Sequence, residues 1–571
     1  MWWRRQRRRI SNSMEGSGVF LRTRSFKPGL WSTVFELIHR KWYLIGLALL
    51  AAGGYGFRLS HPVSGVDDIC AGLYFVDGLV AIIGRWPLFL LGQLFPIGHY
   101  APFLMDLLGV FLMVAAAILW CALLQHILDR PLSTWACLVF SGAFVNFALN
   151  SEVFIYYLHN GAGLGSCLIP LSLYLVYSDR RLDLKSGKKR HVLLTMGATA
   201  LLTVAIGLYE SFASVFLTGL CLIVLADGLS LDRMQTTKWR RTALLLCYSA
   251  RVMVYAMAFR GVITRILRGW ISLDYSYYRS PLSVSWLFQP GAGAQLHQLW
   301  ESFLRRYLYP GLASPSLFLV LVALAGFLLV GIVGTARKKR ATFLLWAVGV
   351  CLSPFALSLI SGELQMQRSC QALPLFAGAA LLGGWLLAER WKNRWTKCAV
   401  AALIAVVLLN VTIEIHGFFS GNYSLRMSEY RILDRVAADL QRDYPLAEKP
   451  VLFVGSPNAR YYVLDPGLLI TQDRLGYSTA SALLGIEGSP ISVAQSPAIK
   501  LIPWAGQAFP GIYGVNGCLP QIFAQQGCPV LRGTAAQYAA AKEIAETMPE
   551  YPKAGYIKEM ETFIIVHFGE G

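Results

Sequence analysis

A chain of 571 residues with 55% hydrophobic and only 15% charged positions lacks the polar surface that a soluble globule of this size needs. Its formal net charge of +19 falls in short clusters between long apolar blocks. That is topogenic charge facing anionic lipid, which excludes nucleic acid as an expected partner.

In chain order, residues 1–41 form a basic arm with Arg4, Arg5, Arg7, Arg8 and Arg9, and Arg40 and Lys41 abut the first apolar block, Lys41 to Leu59. A helix crosses the hydrocarbon core in roughly 20 residues. No small-residue cleavage site follows this block, so it reads as a retained span. Further blocks lie near residues 103–126, 134–149, 161–178, 192–208, 211–228, 242–260, 315–335, 342–360, 372–388 and 398–415, about eleven spans in all. Basic clusters at 180–190, 238–241, 337–340 and 390–397 occupy every second connection. The positive-inside rule then places the N-terminus in the cytoplasm and the region after residue 416 on the other side of a cytoplasmic (inner) membrane. The short basic connections carry no Walker motif or glycine-rich phosphate cradle, so chemistry is expected on the extracytoplasmic side.

The expected architecture is a polytopic α-helical membrane protein. Residues 42–416 form the transmembrane domain, with outer loops at 60–102 and 261–312, and 417–571 form a small extracytoplasmic α/β domain. In the first outer loop Ile69, Leu73, Val76, Val80 and Ile83 recur at helical spacing, giving an amphipathic surface helix. Asp67, Tyr74, Gly78 and Arg85 fall off its apolar stripe. Asp67 and Asp68 at its start suit either chemistry or a helix cap. On a straight helix Asp67 and Arg85 stand roughly 27 Å apart, so they meet only if it breaks, as at Gly78.

Glu210, beside Tyr209 in the turn between two spans, is an ionisable group at a membrane cavity and so a functional candidate, or else a helix-turn cap. The long outer loop gathers Trp270, Tyr275, Tyr277, Tyr278, Trp286 and Phe288 with Arg265, Arg268 and Arg279. These could stack on sugars, line an isoprenoid groove, or form an ordinary interfacial aromatic belt. Leu296, Leu299, Trp300, Phe303, Leu304 and Tyr307 mark a second amphipathic surface helix. Arg368, in the short outer loop G-E-L-Q-M-Q-R-S-C, either binds an anion or snorkels to the interface. In the tail, Val451 to Gly455 and Thr562 to Val566 read as buried strands, and 428–444 and 534–548 as helices. Cys518 and Cys528 share a compartment that permits a disulfide, and are expected to pair.

The aspartate pair in a first outer loop, one span after a cytoplasmic N-terminus, resembles the GT-C superfamily of membrane glycosyltransferases. The run V-D-D-I-C, followed by G-R-W-P-L, and the stretch Leu208-Tyr209-Glu210-Ser211-Phe212 are similar to the type-II O-antigen glucosyltransferase (Gtr) family, over residues 40–415. The resemblance implies an inverting transfer of a sugar, glucose by the family, from a polyprenyl-phosphate donor to a cell-surface acceptor polysaccharide. Asp67 or Asp68 would be the base. Arg85 and Arg368 would hold the donor phosphate, with Tyr74, Tyr209 and Glu210 in the same substrate site. No cofactor is implied, although paired carboxylates can also take a divalent cation. A lipid-linked glycan flippase or other transporter, or an O-antigen polymerase or ligase, would share the polytopic, aromatic-rich character; the paired aspartates favour the transferase.

Overall fold

The computed structural model describes residues 29–62, 78–94, 102–154, 158–180, 188–229, 238–271, 284–308, 325, 328, 340–362, 369–390, 394–457, 501–507, 515 and 517–570. In chain order its helices are α1 (Leu30–His39), α2 (Lys41–Ser60), α3 (Leu79–Ile82), α4 (Trp86–Leu94), α5 (Pro102–Leu128), α6 (Thr134–Val145), α7 (Ala148–Phe154), α8 (Leu158–Arg180), α9 (Lys188–Leu208), α10 (Phe212–Leu229), α11 (Lys238–Trp270), α12 (Ala292–Leu308), α13 (Arg340–Leu352), α14 (Ala356–Ser361), α15 (Ala372–Arg390) and α16 (Arg394–Asp443). Three short helices follow, α17 (Leu501–Gln507), α18 (Leu519–Gln525) and α19 (Ala535–Ala545), with strands β1 (Val451–Ser456), β2 (Ile557–Glu559) and β3 (Ile564–Glu570).

Among the described residues, eight helices are long and apolar enough to cross a membrane, and α6 and α10 are shorter apolar helices. The block near 315–335 lies outside the described residues, apart from 325 and 328. The described helices touch through apolar faces, and a helix satisfies its backbone hydrogen bonds internally, as a bilayer requires. Trp120 of α5 is fully buried and fits because Gly219 of α10 carries no side chain: a Cβ there would meet the indole at 2.5 Å. Arg58 of α2 and Asp106 of α5 form a buried ion pair at 2.9 Å. Leaving either partner alone in that setting would be strongly destabilising. Asn146 donates to Leu50 O at 2.7 Å and to Thr412 Oγ1 at 3.0 Å, tying the end of α6 to α2 and α16.

Several expectations change. The loop expected from residue 261 begins later, because α11 continues to Trp270; the stretch G-V-I-T-R-I-L-R-G-W contains no proline and keeps the helix going. Arg265, Arg268 and Trp270 are therefore helical. The second amphipathic helix stands as α12, with Leu299 buried and Leu296 and Trp300 half-exposed. Residues 428–444 are not a separate helix: α16 runs unbroken for 50 residues from the last span into the C-terminal region.

In that region β3 is central, parallel to β1 (Val451↔Ile564) and antiparallel to β2 (Ile557↔Val566). One sheet face packs Phe453 against Phe523 at 4.7 Å between ring centroids, and the other packs Leu452 and Ile565 with Ala541 and Ala545 of α19. A Thr534–Gln537 capping box starts α19. Glu429 of α16 pairs with Arg426 at 2.9 Å and accepts from Ile502 N at 3.1 Å, which pins α17 to the long helix. The expected Cys518–Cys528 bond does not form: Cys528 is a buried thiol, and Cys518 is disulfide-bonded elsewhere. Seven-residue α18 separates them by about 10 Å of helical rise, beyond the roughly 7 Å Cα limit of a disulfide.

Candidate functional site

The G-R-W-P run builds one wall of the site. The surface helix expected to run from Asp67 and Asp68 toward Arg85 is broken twice within its described part. Gly78 takes a left-handed φ of +82°, α3 lasts four residues, and Gly84 turns again at φ +98°. Only glycine adopts these conformations without strain. The chain then closes with Arg85 N on Val80 O at 2.9 Å, and α4 starts at Trp86 with Pro87 in its first turn, where a missing N–H costs nothing. Arg268 of α11 holds this corner from outside, donating Nε–H to Ile82 O at 2.6 Å.

The other wall is the three-residue turn between α9 and α10. Glu210 projects from it between two arginines, with Arg85 Nε at 3.4 Å and Arg260 Nη2 at 2.5 Å. The Arg85 guanidinium also lies 4.4 Å over the Tyr209 ring, and the Tyr209 hydroxyl is 3.1 Å from Ser369 Oγ. Burial pushes the Glu210 carboxyl upward, but the Arg85 and Arg260 charges outweigh it and hold its pKa below the usual carboxylate range. Glu210 is therefore an ionised clamp on two guanidiniums, not a proton acceptor.

Each residue of the motif has a contact. Gly84 makes room for Arg260, since a Cβ would stand 2.5 Å from Arg260 Nη2. Pro87 packs on Gly207 of α9, where a Cβ would meet its ring at 2.8 Å. Around the clamp, Arg260 Nε, Trp86 Nε1 and Ser211 Oγ are buried without a hydrogen-bond partner among the described residues. Buried donors without acceptors are costly and rare. Their concentration beside two guanidiniums makes this a place for an anion with several acceptor oxygens.

Below it runs a cavity of about 610 Å³ between α9 and α11. Two stripes at four-residue spacing line it, His191, Thr195, Thr199 and Thr203 on α9 and Arg251, Tyr255, Phe259 and Ile263 on α11, and Trp86 is among its lining residues. His191 to Thr203 spans about 18 Å at 1.5 Å per residue. Met196, Ala200, Tyr255 and Phe259 are exposed on its walls. At the end remote from Glu210, Arg251 donates to Thr195 Oγ1 at 2.9 Å and lies 3.1 Å from His191 Nε2.

Of the residues expected from sequence, Arg85, Tyr209 and Glu210 come together here, while Asp67, Asp68, Tyr74 and Arg368 lie outside the described residues. Sequence reasoning missed Arg260, Arg251, Trp86 and the Arg58–Asp106 pair. The available signal was an ionisable residue inside an apolar helix, which marks function or a partner by default. Among the described residues no three His, Cys, Asp or Glu side chains gather as a metal site would require.

The described residues form a multispan helical bundle with a cationic, donor-rich pocket at the α9–α10 turn beside the α9–α11 groove. Residues 56–382, more than half of the chain, match the family described as Glucosyl transferase GtrII. The chain belongs to that family and is a membrane glycosyltransferase. The chain is also similar to the crystal structure of ArnT from Cupriavidus metallidurans bound to undecaprenyl phosphate, with 12% identity, 78% of this chain and 89% of that chain covered, and a TM-score of 0.35. No protein of curated function matches the chain.

Proposed function

We propose that this protein transfers glucose from a polyprenyl-phosphate donor to a cell-surface glycan on the extracytoplasmic side of the inner membrane, with inversion at the anomeric carbon. The supporting observation is the Arg85–Glu210–Arg260 clamp beside unpaired buried donors and above the α9–α11 groove. The donor phosphate sits at the clamp, where two guanidiniums and one carboxylate leave a net positive charge. Fork-shaped guanidinium donors suit phosphate oxygens. The isoprenoid runs down the groove past Phe259 and Tyr255 toward Thr195.

In the reaction an acceptor hydroxyl oxygen attacks the anomeric carbon from the face opposite the phosphate. The bond from that carbon to the phosphate oxygen breaks, and the polyprenyl phosphate leaves with the bonding pair. The phosphate is stable as an anion and needs no proton from the protein. The hydroxyl proton passes to Asp67, with Asp68 beside it as the alternative base. Arg85 and Arg260 meet the negative charge that grows on the leaving oxygen, an electrostatic contribution fixed in place by Glu210. Arg368 is assigned a further contact to the same phosphate, and Tyr74 a part in the sugar site.

The test is transfer by purified protein in lipid from polyprenyl-phosphate glucose to a glycan acceptor, with product stereochemistry read by NMR. Retention of configuration, or turnover with nucleotide-glucose alone, overturns the proposal. Single cysteines placed in α19 settle the side: an impermeant thiol reagent should label them in intact spheroplasts. Labelling only after permeabilisation would reverse the proposed orientation.

A further inference from the structure

Neither long helix lining the groove carries an acidic residue. α9 and α11 contain no Asp or Glu, and they open on Lys188, Lys189 and Arg190 and on Lys238, Arg240 and Arg241. Basic runs of this kind mark the cytoplasmic ends of spans. Arg251 stands apart from these runs, in the groove itself and at the end remote from Glu210. We propose that Arg251 and its neighbours form a second anion site, distinct from the clamp, which binds the phosphate of an anionic glycerophospholipid in the cytoplasmic leaflet.

The cation is held in a fixed orientation. Arg251 Nη2 donates to Thr195 Oγ1 at 2.9 Å and to His191 Nε2 at 3.1 Å. A guanidinium has donors only, so the imidazole nitrogen accepts. The Arg251 guanidinium also lies 5.0 Å from the centroid of the Tyr248 ring, which is 5.1 Å from that of His191. These contacts aim the guanidinium fork without cancelling its charge. One turn along α9, Thr199 lines the same cavity, and its Oγ1 is buried without a hydrogen-bond partner among the described residues. A buried hydroxyl in that state is costly, and a phosphate oxygen entering the groove would accept from it.

Depth fits a headgroup. From His191 to Leu208, where α9 gives way to the Glu210 turn, the helix rises about 26 Å. The hydrocarbon core is roughly 30 Å thick, so the clamp and the Arg251 cluster stand near its opposite faces. Beside the cluster, Val192, Leu193 and Met196 are exposed apolar side chains. An anion with apolar chains can use that surface, whereas a free phosphate cannot. Basic pockets between helices at the cytoplasmic face suit the headgroups of anionic phospholipids.

A headgroup there would close the lower end of the groove, so that a donor tail descending from the clamp leaves sideways above Thr195. That consequence rests on the proposed donor in the groove; the site itself does not.

The test uses the full-length protein in detergent, titrated with defined lipids and read by native mass spectrometry. Wild type should retain phosphatidylglycerol over phosphatidylcholine of the same chains by about tenfold. Arg251→Gln should lose that preference, and Arg251→Lys, which keeps the charge without the fork, should fall between. Phosphatidylglycerol with a photoreactive acyl chain should crosslink to the wild-type peptide holding Val192 to Met196, a readout that needs no variant to fold. Equal retention of the two lipids, an unchanged preference in folded Arg251→Gln, or crosslinks confined to other helices overturns the site. A preference lost in Arg85→Ala but kept in Arg251→Gln puts the lipid at the clamp and also overturns it. Polyprenyl phosphate held through Arg251 in preference to phosphatidylglycerol overturns the assignment of the ligand. No arm measures sugar transfer, so failure here and failure of the transferase reading are separate results.

Discussion

The Glu210 carboxylate meets the Arg260 guanidinium at 2.5 Å across fifty positions of sequence, joining the α9–α10 turn to the middle of α11. Arg85 shares the same carboxylate. Without it, two cations would repel at close range. Glu210→Gln keeps the shape but removes the charge. With charge-assisted hydrogen bonds contributing about 1.5–3 kcal/mol each, and both arginines partly exposed to screening, kcat/KM for donor should fall by roughly 10- to 100-fold. Arg260→Lys retains charge but loses the fork and should fall between wild type and Arg260→Ala. Steady-state kinetics on folded variants, judged by size exclusion, checks the order; equal activity of Glu210→Gln and wild type would remove the clamp from the mechanism.

The same pair sets a pH expectation. The folded-state pKa of Glu210 is lowered, so its contribution is complete above the ordinary carboxylate value of about 4.3 and is lost as pH falls through the folded value. Glu210 therefore adds no inflection to the rate between about pH 5 and 8. A pH–rate profile of wild type against Asp67→Asn tests this: any inflection in that window belongs to another group and should change with the aspartate, not with Glu210.

Gly84 provides a steric test of the site. Its φ of +98° disfavours any side chain, and a Cβ would stand 2.5 Å from Arg260 Nη2. Gly84→Ala then carries backbone strain of about 1–3 kcal/mol and pushes Arg260 off Glu210. Donor affinity should drop about tenfold or more, measured by titration of polyprenyl phosphate. Gly56→Ala, at a helical glycine with open space around it, is the control and should bind normally.

How much of this was legible follows from which forces act locally. Hydropathy and charge lie on the chain itself, so the apolar blocks from Lys41–Ser60 to α16 could be read directly. Val451–Ser456 and Ile564–Glu570 could be read as strands for the same reason. The pairing of Arg85 with Glu210 could not, because 125 positions separate them and tertiary packing such as that of Pro87 on Gly207 brings the walls together. Arg260 was hidden at the end of an apolar block whose helix continues to Trp270. The cysteine pairing failed because sequence proximity at 518 and 528 says nothing of the rigid helix between them.

The groove makes a prediction that depends on donor chain length. Ala200 is exposed on its wall among Met196, Thr203 and Val204. Ala200→Trp would fill it without touching Glu210 or either arginine. Each methylene excluded from an apolar site forfeits about 0.8 kcal/mol. The KM for a long-chain donor should therefore rise severalfold, while a donor with a single isoprene unit should be used as by the wild type. Equal rises for both chain lengths would mean the tail lies elsewhere.

The last expectation concerns the base. Asp67 falls on the polar side of the sequence-level helical wheel, whereas Asp68 lies nearer the flank. Asp67→Asn keeps the volume and most hydrogen bonds but cannot accept the hydroxyl proton. Loss of general-base help costs about 10²–10⁴-fold in rate, so transfer should nearly vanish while polyprenyl-phosphate binding at Arg85 and Arg260 persists. Arg85→Ala should show the reverse split, with donor binding weakened more than the rate at saturation. If Asp67→Asn and Asp68→Asn both transfer at near-normal rates with donor binding intact, the proton goes to another group. If both also carry lipid-linked glycan across vesicles without transfer, the transporter reading gains over the transferase mechanism.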